Sequence, residues 1–174
     1  MLIILEGNEL NFKTTIAEKL AERLKYGVIK GNSFQIAQLP AQDLFQYVKG
    51  IADHADNLIV DRYYMSNLVY TELYDGYSRL GEEEVKYLEE QLKEKALVVY
   101  LHASPETLIK RKQEREEKEI ADNMFDTINK GFERIIVGSE LDVLSLSTEE
   151  LASDFIVDII ITNIRHKEAY QLNK

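Results

Sequence analysis

The stretch "LIILEGNELNFKTTIAEKL", residues 2–20, decides how the rest of the chain is read. Leu2 to Leu5 run without a polar break, as a strand covered on both faces of a parallel sheet requires. A glycine and a polar loop follow. Lys-Thr-Thr then opens a segment in which Ile16, Leu20 and Leu24 recur every fourth residue while Glu18, Lys19, Glu22 and Arg23 face water. The spacing from Gly7 to Lys13 and Thr14 fits the phosphate-binding pattern G-x-x-x-x-G-K-[ST] at every defining position but one, because Phe12 stands where the second glycine belongs. In such a loop, backbone N–H groups and the positive end of the following helix surround phosphates. The lysine reaches the β- and γ-phosphates and the next hydroxyl ligates Mg²⁺. Gly7 is then the tight exit from the strand, Lys13 the phosphate ligand, Thr14 the Mg²⁺ ligand and Thr15 part of the same cradle. The competing reading is a polar turn with an N-cap; the apolar run before it and the amphipathic helix after it favour the phosphate loop.

The composition of the whole chain bounds the ligand classes. Its 174 residues suit one domain, 1–174, and 45% hydrophobic with 30% charged residues is a globular balance. A net charge of -10 argues against a nucleic-acid partner, since phosphate backbones are bound by clustered Lys and Arg. A local positive pocket for a nucleotide remains compatible with that charge. The absence of cysteine excludes a disulfide frame and a thiolate site. No apolar run approaches the roughly 18 residues of a membrane span. Met1 leads at once into the first strand, without a signal segment, so a cytoplasmic location is expected.

Further along, Gly27 to Lys30 and "NLIVD" at Asn57 to Asp61 read as second and third strands, with one or two helices between them punctuated by Pro40 and Gly50. A tyrosine-rich helix follows Asp61, then a break near Asp75-Gly76, then the amphipathic "GEEEVKYLEEQLKEK". "ALVVYLH" at 96–102 is a buried strand, and Ser104 with Pro105 opens a charged helix. Another helix is expected from about Ala121 to Gly138, a strand at 141–146, and a last helix to about Ile164 capped by a Ser147/Glu150 box. Alternating strands and helices predict an α/β fold, three layers deep, with a five-stranded parallel sheet flanked by helices.

Asp61 closes a buried strand, where ligands of open parallel sheets bind. An acid there can hold Mg²⁺ or accept a proton, and Arg62 can neutralise phosphate charge. The bland alternative is a surface Asp-Arg pair. Here the resemblance becomes specific. "EGNELNFKTT" resembles the E-G-x-D-x-x-G-K-T-T loop of thymidylate kinases, and "DRYYMSNLVY" resembles their D-R-Y-x-x-S-x-x-A-Y segment through Asp61, Arg62, Tyr63, Ser66 and Tyr70. "LHASPETLIKRKQER" is similar to the run leading into the family's mobile lid through Pro105, Glu106, Leu108, Arg111 and Arg115, with His102 in place of an acid.

The resemblance covers Leu2 to about Ile160 and implies a P-loop nucleoside or nucleotide kinase fold, related also to deoxynucleoside kinases. It implies ATP and Mg²⁺ as cofactors, with Lys13, Asp61, Arg62 and Arg115 catalytic. Gly7, Lys13, Thr14, Thr15 and Arg111 would bind the cofactor, Thr14 and Asp61 the metal, and Arg62, Tyr63, Ser66 and Tyr70 the substrate. A lid is expected at about 111–122. A solvated charged helix beside Glu114, Glu116 and Glu117 is as good a reading of Arg111, whereas the functional reading is preferred for Arg115, and Tyr64, Tyr74 and Tyr77 read as core or surface residues. Thymidylate kinases are commonly dimers, so a homodimer is compatible with the resemblance.

Two departures matter. Phe12 must turn its ring from the phosphates, distort the loop or fill the pocket. The family's R-E-P-G segment is replaced by "KGNSF", and no arginine lies between Arg23 and Arg62, which thins the clamp for a monophosphate. The expected acceptor is a (deoxy)nucleoside monophosphate; a deoxynucleoside, or a nucleotide-binding protein with weak or lost catalysis, is the alternative.

Overall fold

The computed structural model describes residues 1–54, 56–117 and 120–173; Lys118 and Glu119, within the expected lid, lie outside the described residues. Five strands, β1 (Leu2–Glu6), β2 (Gly27–Lys30), β3 (Leu58–Asp61), β4 (Ala96–His102) and β5 (Val143–Ser147), form one parallel sheet in the order β2-β3-β1-β4-β5. The helices are α1 (Lys13–Leu24), α2 (Phe34–Ala37), α3 (Ala41–His54), α4 (Tyr64–Tyr70), α5 (Glu82–Leu92), α6 (Pro105–Glu114), α7 (Met124–Gly138) and α8 (Ser153–Leu172).

The unbroken apolar run of β1 is explained by its central place. Successive side chains of a strand point to opposite faces. Leu2 and Ile4 therefore join Val60, Val98 and Tyr100 beneath α3, α4, α5 and α7. Ile3 and Leu5 join Ile59, Leu97 and Val99 beneath α1 and α8. The three-layer α/β arrangement matches the expectation. Ser104 caps α6 through the Thr107 N–H at 3.3 Å, with Pro105 at the first helical position, as its sequence predicts.

One terminal expectation is corrected. Ser147 caps no helix; it is the last residue of β5, paired beside His102, and its hydroxyl accepts from the Glu149 N–H. The last helix starts at Ser153 after Ala152, which has no side-chain cap, and runs on to Leu172. A Ser-x-x-Glu spacing is weaker than the strand pairing that claims the same serine.

Because β1 lies between β3 and β4, the loop after β1 leaves the sheet beside the ends of both neighbours. Gly7 makes this exit with φ +137°, and a Cβ on it would stand 2.1 Å from the Leu101 carbonyl oxygen. Gly7→Ala is expected to lower stability by more than about 2 kcal/mol, since backbone strain and overpacking act together. Chemical denaturation checks this, and a wild-type midpoint would contradict the close approach.

Candidate functional site

At the carboxyl ends of β1 and β3 opens a cavity of about 450 Å³. Its lining brings together Lys13, Thr14, Thr15, Asp61, Arg62, Tyr70 and Arg115, residues contributed by four separate stretches of chain. That volume lies within the range of small-molecule sites.

The loop between β1 and α1 is shaped by two residues in the left-handed region, Leu10 at φ 61° and Phe12 at φ 58°. For residues bearing a side chain this conformation costs about 1–2 kcal/mol each. Tertiary hydrogen bonds hold the loop to the rest of the chain. The Asn8 amide donates to the Phe125 carbonyl and to Asn129 Oδ1, each at 3.0 Å, while Asn8 Oδ1 accepts the Glu9 N–H. Asn11 Oδ1 accepts from the Thr148 hydroxyl at 2.9 Å. Arg111 donates to the Leu10 carbonyl at 3.1 Å and to Thr148 Oγ1 and O at 2.9 and 2.8 Å. Arg111 thus fastens the loop and does not line the cavity. Asn8, Asn11, Asn129 and Thr148 were invisible as site residues in the sequence, where the loop asparagines fill variable positions of the motif.

Phe12 is among the residues that line the cavity. Its backbone takes the left-handed geometry a glycine would adopt, and its ring lies against two guanidinium groups, with Arg111 Cζ 4.4 Å and Arg115 Cζ 5.4 Å from the ring centroid. The ring also packs against the core beneath α1 and α8.

Lys13 is 5% exposed and its Nζ donates to the Asn8 carbonyl at 2.5 Å. Burial, with Arg62 adding like-charge repulsion, brings its amine down to about 7. Across the cavity mouth the Thr14 hydroxyl stands 3.2 Å from Asp61 Oδ2, which also meets Lys30 Nζ at 3.4 Å. The other oxygen, Asp61 Oδ1, is buried without a hydrogen-bond partner among the described residues. A hydroxyl beside a carboxylate with a vacant buried lone pair is a donor set suited to a hard divalent cation that takes its other ligands from phosphate and water.

Arg62 has φ 63°, a strained value held by its N–H bond to the Leu5 carbonyl at 2.9 Å. Its guanidinium donates to the Gly7 carbonyl at 3.2 Å and the Tyr70 hydroxyl at 3.4 Å, and pairs with Glu9. Beneath it lies a residue without an assigned role in the sequence, Glu6. This carboxylate is fully buried and accepts from the Tyr63, Met65 and Ser66 N–H groups and from the Ser66 hydroxyl. Burial pushes its pKa up, against the opposing pull of these donors.

Two of the residues expected at the substrate lie away from the cavity. Ser66 is fully buried against Glu6, and Tyr63 is fully buried with its hydroxyl donated to the Val48 carbonyl. Neither lines the cavity. In their place an aromatic wall stands opposite the loop. Tyr70 stacks on Tyr74, Tyr74 meets Tyr77, and Tyr77 meets Phe34 edge-on at 5.8 Å. Tyr74 and Tyr77, read from sequence as core or surface residues, line the cavity, and so does Asn32, whose buried Oδ1 has no hydrogen-bond partner among the described residues. The signal available was the tyrosine cluster itself. Such a wall offers flat apolar faces to a ring system.

Two measurements check this description. In the ligand-free protein the unfolded chain holds the Lys13 proton up to about 10.5 and the folded chain only to about 7. Stability therefore rises with pH across that window, and Lys13→Met flattens the rise. Ser66→Ala is expected to cost about 1–3 kcal/mol, because a buried carboxylate loses a donor; a wild-type unfolding midpoint would count against the Glu6 role.

The thymidylate kinase family model matches residues 13–155. The SPbeta prophage-derived uncharacterized protein YorR of Bacillus subtilis (strain 168) is 40% identical over 160 residues, which are 92% of this chain and 96% of YorR. The crystal structure of YorR from Bacillus subtilis in complex with phosphorylated GDP superposes with a TM-score of 0.93 at 38% identity, covering 97% of this chain and 98% of YorR. Deoxyadenosine kinase from M. mycoides with bound dATP shares the fold at 19% identity, with a TM-score of 0.65 and coverage of 95% and 100%. A gluconokinase from Sinorhizobium meliloti 1021 does so at 16% identity, with a TM-score of 0.66 and coverage of 99% and 96%. A phosphate-type loop after β1, an Asp-Arg pair after β3 and a family match over most of the chain lead to one conclusion: this protein belongs to the thymidylate kinase family, nucleotide kinases built on the P-loop fold.

Proposed function

We propose that the chain transfers the γ-phosphoryl group of ATP to a (deoxy)nucleoside monophosphate. The observation that carries this reading is the convergence of Lys13, the Thr14–Asp61 pair and Arg62 on one cavity at the ends of adjacent strands. YorR, whose solved complex holds phosphorylated GDP, supports a nucleotide as the ligand.

Each side chain has a defined task in such a transfer. Lys13, already aimed along the loop by the Asn8 carbonyl, exchanges that partner for phosphate oxygens and regains its charge beside them. Thr14 and Asp61 would hold Mg²⁺, the vacant Asp61 Oδ1 being the free ligand. When bound, the metal supplies charge neutralisation on the phosphates. Arg62, fixed by Gly7 and Tyr70, faces the acceptor's phosphate, and Arg115 faces charge developing on the transferred group. The aromatic wall of Tyr70, Tyr74, Tyr77 and Phe34 is the surface for the acceptor base. Catalysis here is positioning and charge stabilisation, so five well-placed polar side chains suffice.

A nucleoside acceptor is the second reading. It is favoured by one observation: on the acceptor side Arg62 is already paired with Glu9 and Lys30 with Asp61.

Offering nucleosides and nucleoside monophosphates in parallel with ATP and Mg²⁺ separates the two. Preferential turnover of a monophosphate is expected, with Arg62→Ala raising its KM. Preferential turnover of a nucleoside would transfer the assignment to the second reading. Lys13→Ala is expected to lower kcat/KM by about a thousandfold or more with unchanged circular dichroism. Full activity in that variant would overturn the site.

A further inference from the structure

Phe12 occupies a backbone conformation that suits glycine and penalises a ring, at the position of the pattern's second glycine. A residue kept there against its own conformational preference invites a search for what its side chain does. It makes no phosphate cradle, since a ring offers no hydrogen-bond donor. Besides its packing on the core beneath α1 and α8, the ring meets two cations: the Arg111 and Arg115 guanidinium groups both lie within 6 Å of its centroid, the range of a cation–π interaction.

The two arginines differ in what the ring adds. Arg111 is fixed by its three hydrogen bonds to Leu10 and Thr148. Arg115 stands at the C-cap of α6, where the helix ends, and its exposed side chain reaches the cavity alongside Phe12. A long side chain at a helix end has much rotamer freedom to lose before it can serve a site. A flat ring on the loop reduces that freedom without consuming a hydrogen bond the guanidinium needs for phosphate.

We propose that Phe12 is a positioning residue for Arg115: its ring holds the guanidinium at the cavity mouth, beside the loop, so that the cation is in place before the nucleotide arrives. This rests on the reading of the cavity as the ATP site. The substitution that departs from the family loop thereby becomes part of the site, joining the loop after β1 to the end of α6, about a hundred residues apart in sequence.

Three variants separate ring, bulk and backbone. Phe12→Tyr keeps the ring; Phe12→Leu removes it but keeps apolar bulk and the left-handed demand; Phe12→Gly removes the ring and relieves the backbone. Calorimetry with Mg²⁺ and the non-hydrolysable ATP analogue AMP-PNP should show about two- to tenfold weaker binding for Phe12→Leu and Phe12→Gly, and binding within about twofold of wild type for Phe12→Tyr. Arg115→Met should weaken binding similarly, and combining it with Phe12→Leu should add little, as required when one residue acts through the other. In the nucleotide-free protein the Arg115 side-chain methylene protons should be shifted upfield by the ring and lose that shift in Phe12→Leu. Binding by Phe12→Gly as tight as wild type, additive effects of the two substitutions, or no ring-induced shift would each overturn the proposal. Absence of binding by the wild-type protein would overturn the ATP reading and this one with it, whereas binding indifferent to Phe12 overturns this one alone.

Discussion

The Glu6 carboxylate is the contact on which the site's geometry rests. It sits without solvent at the last residue of β1 and gathers three backbone N–H groups and one hydroxyl from the segment that opens α4. Removing a carboxylate from water costs several kcal/mol unless its oxygens are fully bonded. The chain around it is therefore constrained to keep Tyr63, Met65 and Ser66 turned inward. With those three residues fixed, Arg62 is left at a positive φ, facing Gly7 on one side and Tyr70 on the other. The loop that follows Glu6 and the Asp-Arg pair that precedes Tyr63 are thus set by one buried charge.

Strain and attraction are concentrated in the same place. Leu10, Phe12 and Arg62 all hold left-handed backbone around the cavity. Lys13 lies with its amine brought down by burial, and Asp61 keeps one oxygen without a partner among the described residues. These are groups whose needs the protein alone leaves incomplete, and each is of a kind that phosphate or a divalent cation satisfies.

Much of this was legible in the sequence, and the limits have physical causes. The run of Leu2 to Leu5 and the β4 run could be assigned because a strand buried on both faces has no polar break. The Lys13, Thr14 and Asp61 cluster followed from motif spacing, which fixes backbone path. Motif spacing does not fix what stands in front of a side chain. Ser66 and Tyr70 share a face of α4 four residues apart, yet Glu6 fills the space before Ser66 while Tyr70 reaches the cavity. Tyr74 and Tyr77 follow the end of α4, where no helical period indicates direction. The ring of Phe12 could not be placed because its partners arrive with α6.

The loop between β1 and α1 is short, but its shape is written far downstream. Asn8 is satisfied by Asn129 and the Phe125 carbonyl, and Asn11 by Thr148. Positions 8 and 129, and 11 and 148, are therefore matched pairs: a change in one alters which residues its mate tolerates. An N-terminal fragment carrying the whole loop sequence lacks the groups that give the loop its form. Transplanting residues 6–15 into another sheet would carry the motif across and leave its conformation behind.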